Sequence, residues 1–401
     1  MKQLLYALLL CFTFTSVYAQ DTKKEEKPEG YKFTDIINLD ITPVKDQNRS
    51  GTCWSFSANS FFEQEMLRMG KPVTDLSEMF VVRHTYTDKA EKYVRLHGYL
   101  NFAQGGAFHD NLYVFDKYGI VPESVYSGLE YGEKGHVHGE VEAVLRGIAD
   151  AAIKNPNRKL SPKWKVAFEG ALDAYFGELP KSFVYDGKTY TPKSFLTDYC
   201  GIVPEDYVAI GSYTHHPFYE EFIFEVQDNW LWKTIYNVPL DEMMQVIDNA
   251  LETGYSVAWA ADVSEKGFNT KKVGVAIVPE TNIESMDQAE IGKWEAMSEA
   301  ERNKKIYSFD KPGKEKVITQ ELRQEAFDNY QSTDDHGMHI YGTATDQIGN
   351  KYYKVKNSWG NYNDFDGSFY VSKPYVAYKT MNILVHKDAI PQAIKNKLGI
   401  K

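Results

Sequence analysis

Cysteine is scarce in this 401-residue chain, which holds only Cys11, Cys53 and Cys200. An exported protein of this size that relied on disulfides would carry more, so a disulfide scaffold is excluded. Long apolar runs are also lacking. The longest, from Leu4 to Phe14, is too short to span a bilayer as a stable anchor. Basic clusters are missing as well: the formal charge is -11, and no run of Lys and Arg suits the neutralisation of phosphates. No nucleic-acid partner and no stable membrane anchor are therefore expected. Internal repeats and low-complexity tracts are absent too.

The short apolar run has a different use. Lys2 precedes it and Val17-Tyr18-Ala19 follows it, the pattern of a secretory signal over residues 1–19. The expected protein is exported, periplasmic or secreted. Cleavage after Ala19 leaves Cys53 and Cys200, for which a single bridge stays open. A free thiol kept in an oxidising compartment suggests that the thiol has a use.

Residues 20–30 are charged, end in Gly30 and read as a flexible lead-in to a folded region over 31–401. Apolar residues at helical spacing predict helices over 55–69, 111–117, 141–153 and 163–176. Alternation predicts strands at 351–356 and 368–371, with a hairpin turn at Ile348-Gly349-Asn350. A helical front, at about 51–255, and a β-rich back, at about 256–385, point to an α+β protein of two lobes.

Chemistry concentrates at Gln47-Asn48-Arg49-Ser50-Gly51-Thr52-Cys53-Trp54-Ser55-Phe56. Cys53 stands at the start of a predicted helix, where backbone N–H groups and the helix dipole favour the thiolate. Gln47 and the Cys53 N–H could donate to an oxyanion. A thiolate nucleophile needs a base and a group to orient that base. Asp335-His336-Gly337-Met338 and Asn357-Ser358-Trp359-Gly360 supply the candidates. Asn357 would hold one imidazole nitrogen of His336, and Trp359 would shield that hydrogen bond from water.

The set of Gln47, Gly51-Thr52-Cys53-Trp54 and Asn357-Ser358-Trp359-Gly360 resembles the papain-like cysteine peptidases. Ser50 stands where the usual signature has a cysteine, and the histidine lies farther along than the usual spacing. Both departures resemble the bleomycin hydrolase and aminopeptidase C branch, as do Gly105-Gly106-Ala107-Phe108 and Asp335-His336-Gly337-Met338. The resemblance implies a two-lobed papain-like fold with a large, mainly helical insertion. It also implies peptide substrates, no cofactor or metal, and a homo-hexamer. Within it, Gly105 and Gly106 would offer a bare backbone edge to an extended substrate. His339 competes with His336 as the base. His336 is preferred because Asp335 precedes it, Gly337-Met338 follow, and Gly342 falls six residues on.

The expected reaction is peptide hydrolysis through a Cys53 thioester, of the aminopeptidase type. Residues 388–401 make a shorter tail than the arm that shortens the cleft in that branch, so endopeptidase or dipeptidyl cutting stays open. A non-catalytic peptide- or glycan-binding protein on the same scaffold is the alternative of another class. Other residues read more plainly: Cys200 as structural, and His136 and His138 as part of a solvated loop. His215-His216 reads as a turn or packing feature. Glu220-Glu221 and Asp334-Asp335 read as surface charges, Asp335 being the exception that could tune His336.

Overall fold

The structure, a computed structural model, describes residues 29–280 and 288–401. The expected signal peptide and most of the lead-in lie outside the described residues.

The four predicted helices form with shifts of a few residues, and one that was not predicted, over 78–95, joins them. They are α1 (Cys53–Arg68), α2 (Glu78–Arg95), α3 (Phe108–Tyr118), α4 (Gly139–Ile153) and α5 (Lys163–Phe176). Ser77 caps α2 by accepting the Phe80 N–H, and Gly119 ends α3 at φ 91°. Helix α1 is buried on nearly every face from Trp54 to Met66. Its polar side chains accordingly find backbone partners: the Ser55 hydroxyl donates to the Glu78 carbonyl at 3.0 Å, and Asn59 donates to the Leu76 carbonyl at 3.3 Å. Phe61, Phe62 and Met66 of α1 join Phe80, Phe102, Phe115 and Phe176 in one aromatic-rich core.

The strands are β1 (Phe33–Asn38), β2 (Phe183–Tyr185), β3 (Lys188–Tyr190), β4 (Tyr207–Gly211), β5 (Glu221–Ile223), β6 (Thr234–Asn237) and β7 (Val257–Ala261), followed by β8 (Phe268–Asn269), β9 (Val275–Ala276), β10 (His336–Asp346), β11 (Lys351–Lys356), β12 (Ser368–Ser372) and β13 (Thr380–His386). Strands β2 and β3 make a separate hairpin. The others form one 11-stranded sheet in the order β5-β6-β4-β13-β7-β10-β11-β12-β9-β8, with β1 also paired to β10. The β10–β11 hairpin turns at the predicted place, with Gly349 at φ 90°. The sheet starts earlier in the chain than the β-rich segment expected from about 256, because β1 pairs with β10 and β4 to β6 join through β13.

Helix α1 packs against β10 and β7, and a second core fills the far side of the sheet. That core is built from Val246 and Ile247 of the helix Leu240–Glu252 with Trp259, Met338, Val355 and Ile383. The architecture is α+β, with the helical part of the chain laid against the sheet. The start of α1 and the start of β10 thereby come together.

Candidate active site

Close approach of α1 to β10 depends on Gly337. A Cβ there would meet the Ser57 hydroxyl at 2.6 Å and the Trp54 Cα at 3.3 Å. With no side chain in the way, the Gly337 N–H reaches the sulfur of Cys53. The Trp54 N–H does the same from within the first turn of α1. Cys53 and His336 both line one cavity of about 290 Å³.

His336 opens β10, opposite Ala261 of β7. Its Nε2 lies 2.8 Å from Asn357 Oδ1, and the same oxygen accepts the Ser358 N–H at 2.8 Å. A backbone N–H can only donate, so the atom facing both groups must be the amide oxygen. His336 therefore donates from Nε2, which leaves a lone pair on Nδ1. Asn357 completes its own bonding by donating to the Tyr362 hydroxyl at 3.1 Å. Trp359 stacks on His336 with ring centres 4.9 Å apart.

His339 sits three residues along the strand, on the opposite face. Its Nδ1 pairs with the Ser60 hydroxyl at 2.9 Å, and it is fully buried. Geometry thus brings His336, and not His339, to Asn357 and to the Cys53 cavity. Asp335 makes no hydrogen bond to His336; it accepts from Thr333 and from the Val263 N–H.

Burial pushes the Cys53 thiol up to about 12, against the pull of the two backbone N–H groups. Burial likewise pushes His336 down to about 4, opposed by its bond to Asn357. Both groups therefore favour their neutral forms. A neutral imidazole with a free Nδ1 lone pair can take a proton.

Gln47 is buried and tied to the same assembly. Its Oε1 accepts the Ser358 hydroxyl at 2.6 Å, its backbone N–H donates to the Ser358 carbonyl, and Nε2 donates to the Ser50 carbonyl at 2.8 Å. One Nε2 hydrogen is left over. Ser358 thus links Gln47 to the Asn357 loop, a role that sequence reasoning missed. The signal was available, since Ser358 lies between two residues already singled out.

Gly105 and Gly106 form part of the cavity wall, and neither could carry a side chain. A Cβ at Gly105 would strike the Asp228 carboxylate, and one at Gly106 would meet the Trp54 ring at 2.7 Å. Trp54 anchors this segment by donating from its indole to the Gln104 carbonyl at 3.1 Å. Gln104 accepts the Gly51 N–H at 2.7 Å, fastening the loop before Cys53 to the opposite wall.

Several plainer readings change. Asp334 is not a surface charge: it lines the cavity, and burial pushes its carboxyl up to about 7. His136 and His138 are buried, not in a solvated loop, with their rings against Phe56 and Phe176. Cys53 and Cys200 are both free thiols, and Cys200 is fully buried. His215, His216 and Glu225 bring three ligand atoms within 4.8 Å of one another. However, His215 Nδ1 accepts from the Gln324 amide, whose oxygen is fixed by the Thr214 N–H. The His215 proton is thus on Nε2 and goes to Glu225, which makes this group a hydrogen-bond relay of the packing kind.

Comparison with known proteins agrees with this geometry. Residues 29–183 match the papain family cysteine protease model, and residues 288–400 match that of the peptidase C1-like family. An aminopeptidase C of Lactobacillus delbrueckii subsp. lactis is 24% identical, over 90% of this chain and 82% of its own length. Cysteine proteinase 1, mitochondrial, of Saccharomyces cerevisiae is 22% identical, over 93% of this chain and 80% of its own. The crystal structure of PepW from Lactobacillus rhamnosis superposes with a TM-score of 0.68 at 19% identity, covering 91% of this chain and 84% of that one. Both matched models describe C1-type cysteine peptidases, and along most of its length the chain is similar to the relatives named aminopeptidase C. It is a cysteine-type peptidase.

Proposed function

We propose that this peptidase is an exported aminopeptidase that works through a thioester on Cys53. The observation that carries the mechanism is the 2.8 Å bond from His336 to Asn357, which leaves Nδ1 free in the cavity that holds the sulfur. His336 Nδ1 takes the thiol proton as the sulfur attacks the peptide carbonyl carbon. The oxyanion receives the Cys53 N–H and the remaining Nε2 hydrogen of Gln47. Collapse breaks the C–N bond, and His336 returns the proton to the departing amine. Water, deprotonated by the same nitrogen, then cleaves the thioester and restores the thiol. Asn357 and Trp359 orient the imidazole throughout.

The aminopeptidase reading is supported by the relatives named aminopeptidase C. Endopeptidase or dipeptidyl cutting is kept as a second reading for one reason: no residue from 383–401 lines the Cys53 cavity. Ile400 and Lys401 instead line a separate hollow with Leu112, Tyr207 and Lys387. Export rests on the signal-like pattern of residues 1–19.

The test compares an amino-acid amide bearing a free N-terminus with its N-acetyl form, alongside labelling by a thiol-directed epoxide. The proposal expects selective cleavage of the free form and faster labelling of Cys53 than of Cys200. Equal cleavage of the blocked form removes the aminopeptidase assignment. Loss of the signal-like residues without change in cellular location removes export.

A further inference from the structure

The cavity beside Cys53 is lined by four carboxylates, Glu142, Asp228, Asp334 and Asp335, and by no Lys or Arg among the described residues. Two of the four already have work. Glu142 accepts from the Gln104 amide at 2.8 Å, and Asp335 accepts from Thr333 and Val263. The other two are different. Asp228 accepts from Asn101 through Oδ1 at 2.9 Å, while Oδ2 lies against Gly105, 1.9 Å from where a Cβ would stand. Asp334 has no hydrogen bond and no ion pair among the described residues, although it is only partly exposed and protein encloses its carboxyl group.

Buried carboxylates are ordinarily paired. Lys89, behind the Gly105 segment, is a cation whose charge reaches Asp228. Its ammonium is occupied by the carbonyls of Ala103 and Gly105, and it forms no ion pair with either carboxylate among the described residues. Asp334 and Asp228 each push the Cys53 thiol up, and Asp228 pushes Asp334 up, so their placement works against thiolate formation. Two like charges held at a nucleophile, at a cost to that nucleophile, point to a cation that arrives with the substrate.

We propose that Asp334, with Asp228 beside it, is the seat for the α-ammonium group of the substrate's first residue. Gly105 lets the Asp228 carboxylate lie against the cavity wall, so that the substrate's carbonyl carbon meets Cys53 while its ammonium meets the two carboxylates. The seat selects a free N-terminus by charge, because an acylated one brings no positive group to it. This assignment rests on the aminopeptidase reading above. It places the exopeptidase specificity in side chains of the cavity wall, with no contribution from residues 383–401.

The experiment measures kcat/KM on the full chain for three fluorogenic substrates: an alanyl amide, its N-acetyl form, and an N-acetyl-lysyl-alanyl amide. Wild type, Asp334→Asn and Asp228→Asn are compared, with the thermal midpoint of each as the check on folding. Asp334→Asn should lose roughly 10- to 100-fold on the free alanyl amide, mostly in KM, the size of a charge-assisted hydrogen bond. The N-acetyl substrate should not share that loss. Should Asp334→Asn fail to fold, Asp228→Asn carries the same expectation with a smaller factor. A wild type that prefers the free amine while both variants keep that preference overturns the seat and leaves the aminopeptidase reading standing. A wild type without the preference overturns the aminopeptidase reading itself. Strong cleavage of the N-acetyl-lysyl substrate that Asp334→Asn abolishes assigns the carboxylates to a basic side chain and overturns the α-ammonium assignment.

Discussion

Two charged regions flank α1, and they are built differently. At the rear, between α1, α2 and β11, Lys45 donates to Glu78 at 2.7 Å and to the Leu76 carbonyl, with Glu63 and Asp75 also in reach. Lys356 donates to Thr42, which in turn donates to Glu63. Cations and anions there are interleaved and bonded. At the front, Asp228 and Asp334 face a cavity without a cation. Strand β10 gives one histidine to each region, His339 to the rear against Ser60 and His336 to the front against Asn357. The contrast separates charge that holds the fold together from charge left available to a ligand.

The largest effect that tests this division is on activity. His336→Ala should lower kcat/KM by about a thousandfold or more, whereas His339→Phe, if folded, should remain within roughly tenfold of wild type. Steady-state kinetics on the free amide checks both, and a reversed ranking would give the base to the rear histidine. Next in size is the rear network. Lys45→Met leaves Glu63 and Glu78 without their buried counter-charge and should cost about 3–5 kcal/mol in urea unfolding. A loss under about 1 kcal/mol would mean that the rear region is not structurally paired.

A third prediction concerns pH. Burial pushes His138 down to about 3, and neither ring nitrogen has a partner among the described residues. Unfolding lets it bind a proton that the folded state refuses, so stability falls as pH drops from about 6.5 towards 3. His138→Phe should therefore gain on wild type as pH falls, by about 2 kcal/mol at pH 5. Parallel unfolding curves at pH 7 and 5 decide it, and a constant difference would refute the burial argument.

The smallest effect has the opposite sign. The Asp334 carboxyl is raised to about 7, so its charge costs folded stability as pH rises from the usual carboxylate range through 7. Asp334→Asn should be more stable than wild type by about 1 kcal/mol at pH 8, after allowance for solvent screening, and converge with it near pH 4. The same substitution at a paired carboxylate such as Glu63 should destabilise.

Much of the site was legible along the chain because its parts are local. A cysteine before a helix, a glycine beside it, and Asn-Ser-Trp-Gly after a strand are short patterns with their own backbone logic. The helices at 53–68 and 163–176 were legible for the same reason, through apolar spacing. The choice between His336 and His339 was harder, since both carry the same chemistry within one turn of sequence. Only strand alternation and the position of Asn357 separate them. Asp334 was misread as surface although it lies two residues before His336 and lines the same cavity.

By itself, then, the sequence pointed to the proposed nucleophile, the proposed oxyanion donors and the residues proposed to orient the base, because each depends on a few neighbours in the chain. Tertiary structure alone decided the electrostatics of the cleft. Asp228 comes from a turn between β5 and β6, Gly105 from the segment before α3, and Asp334 from the approach to β10. Nothing in any of these segments marks it as a partner of the others. Their meeting, and the lack of a cation among them, follows from how α1 is packed between the helices and the sheet.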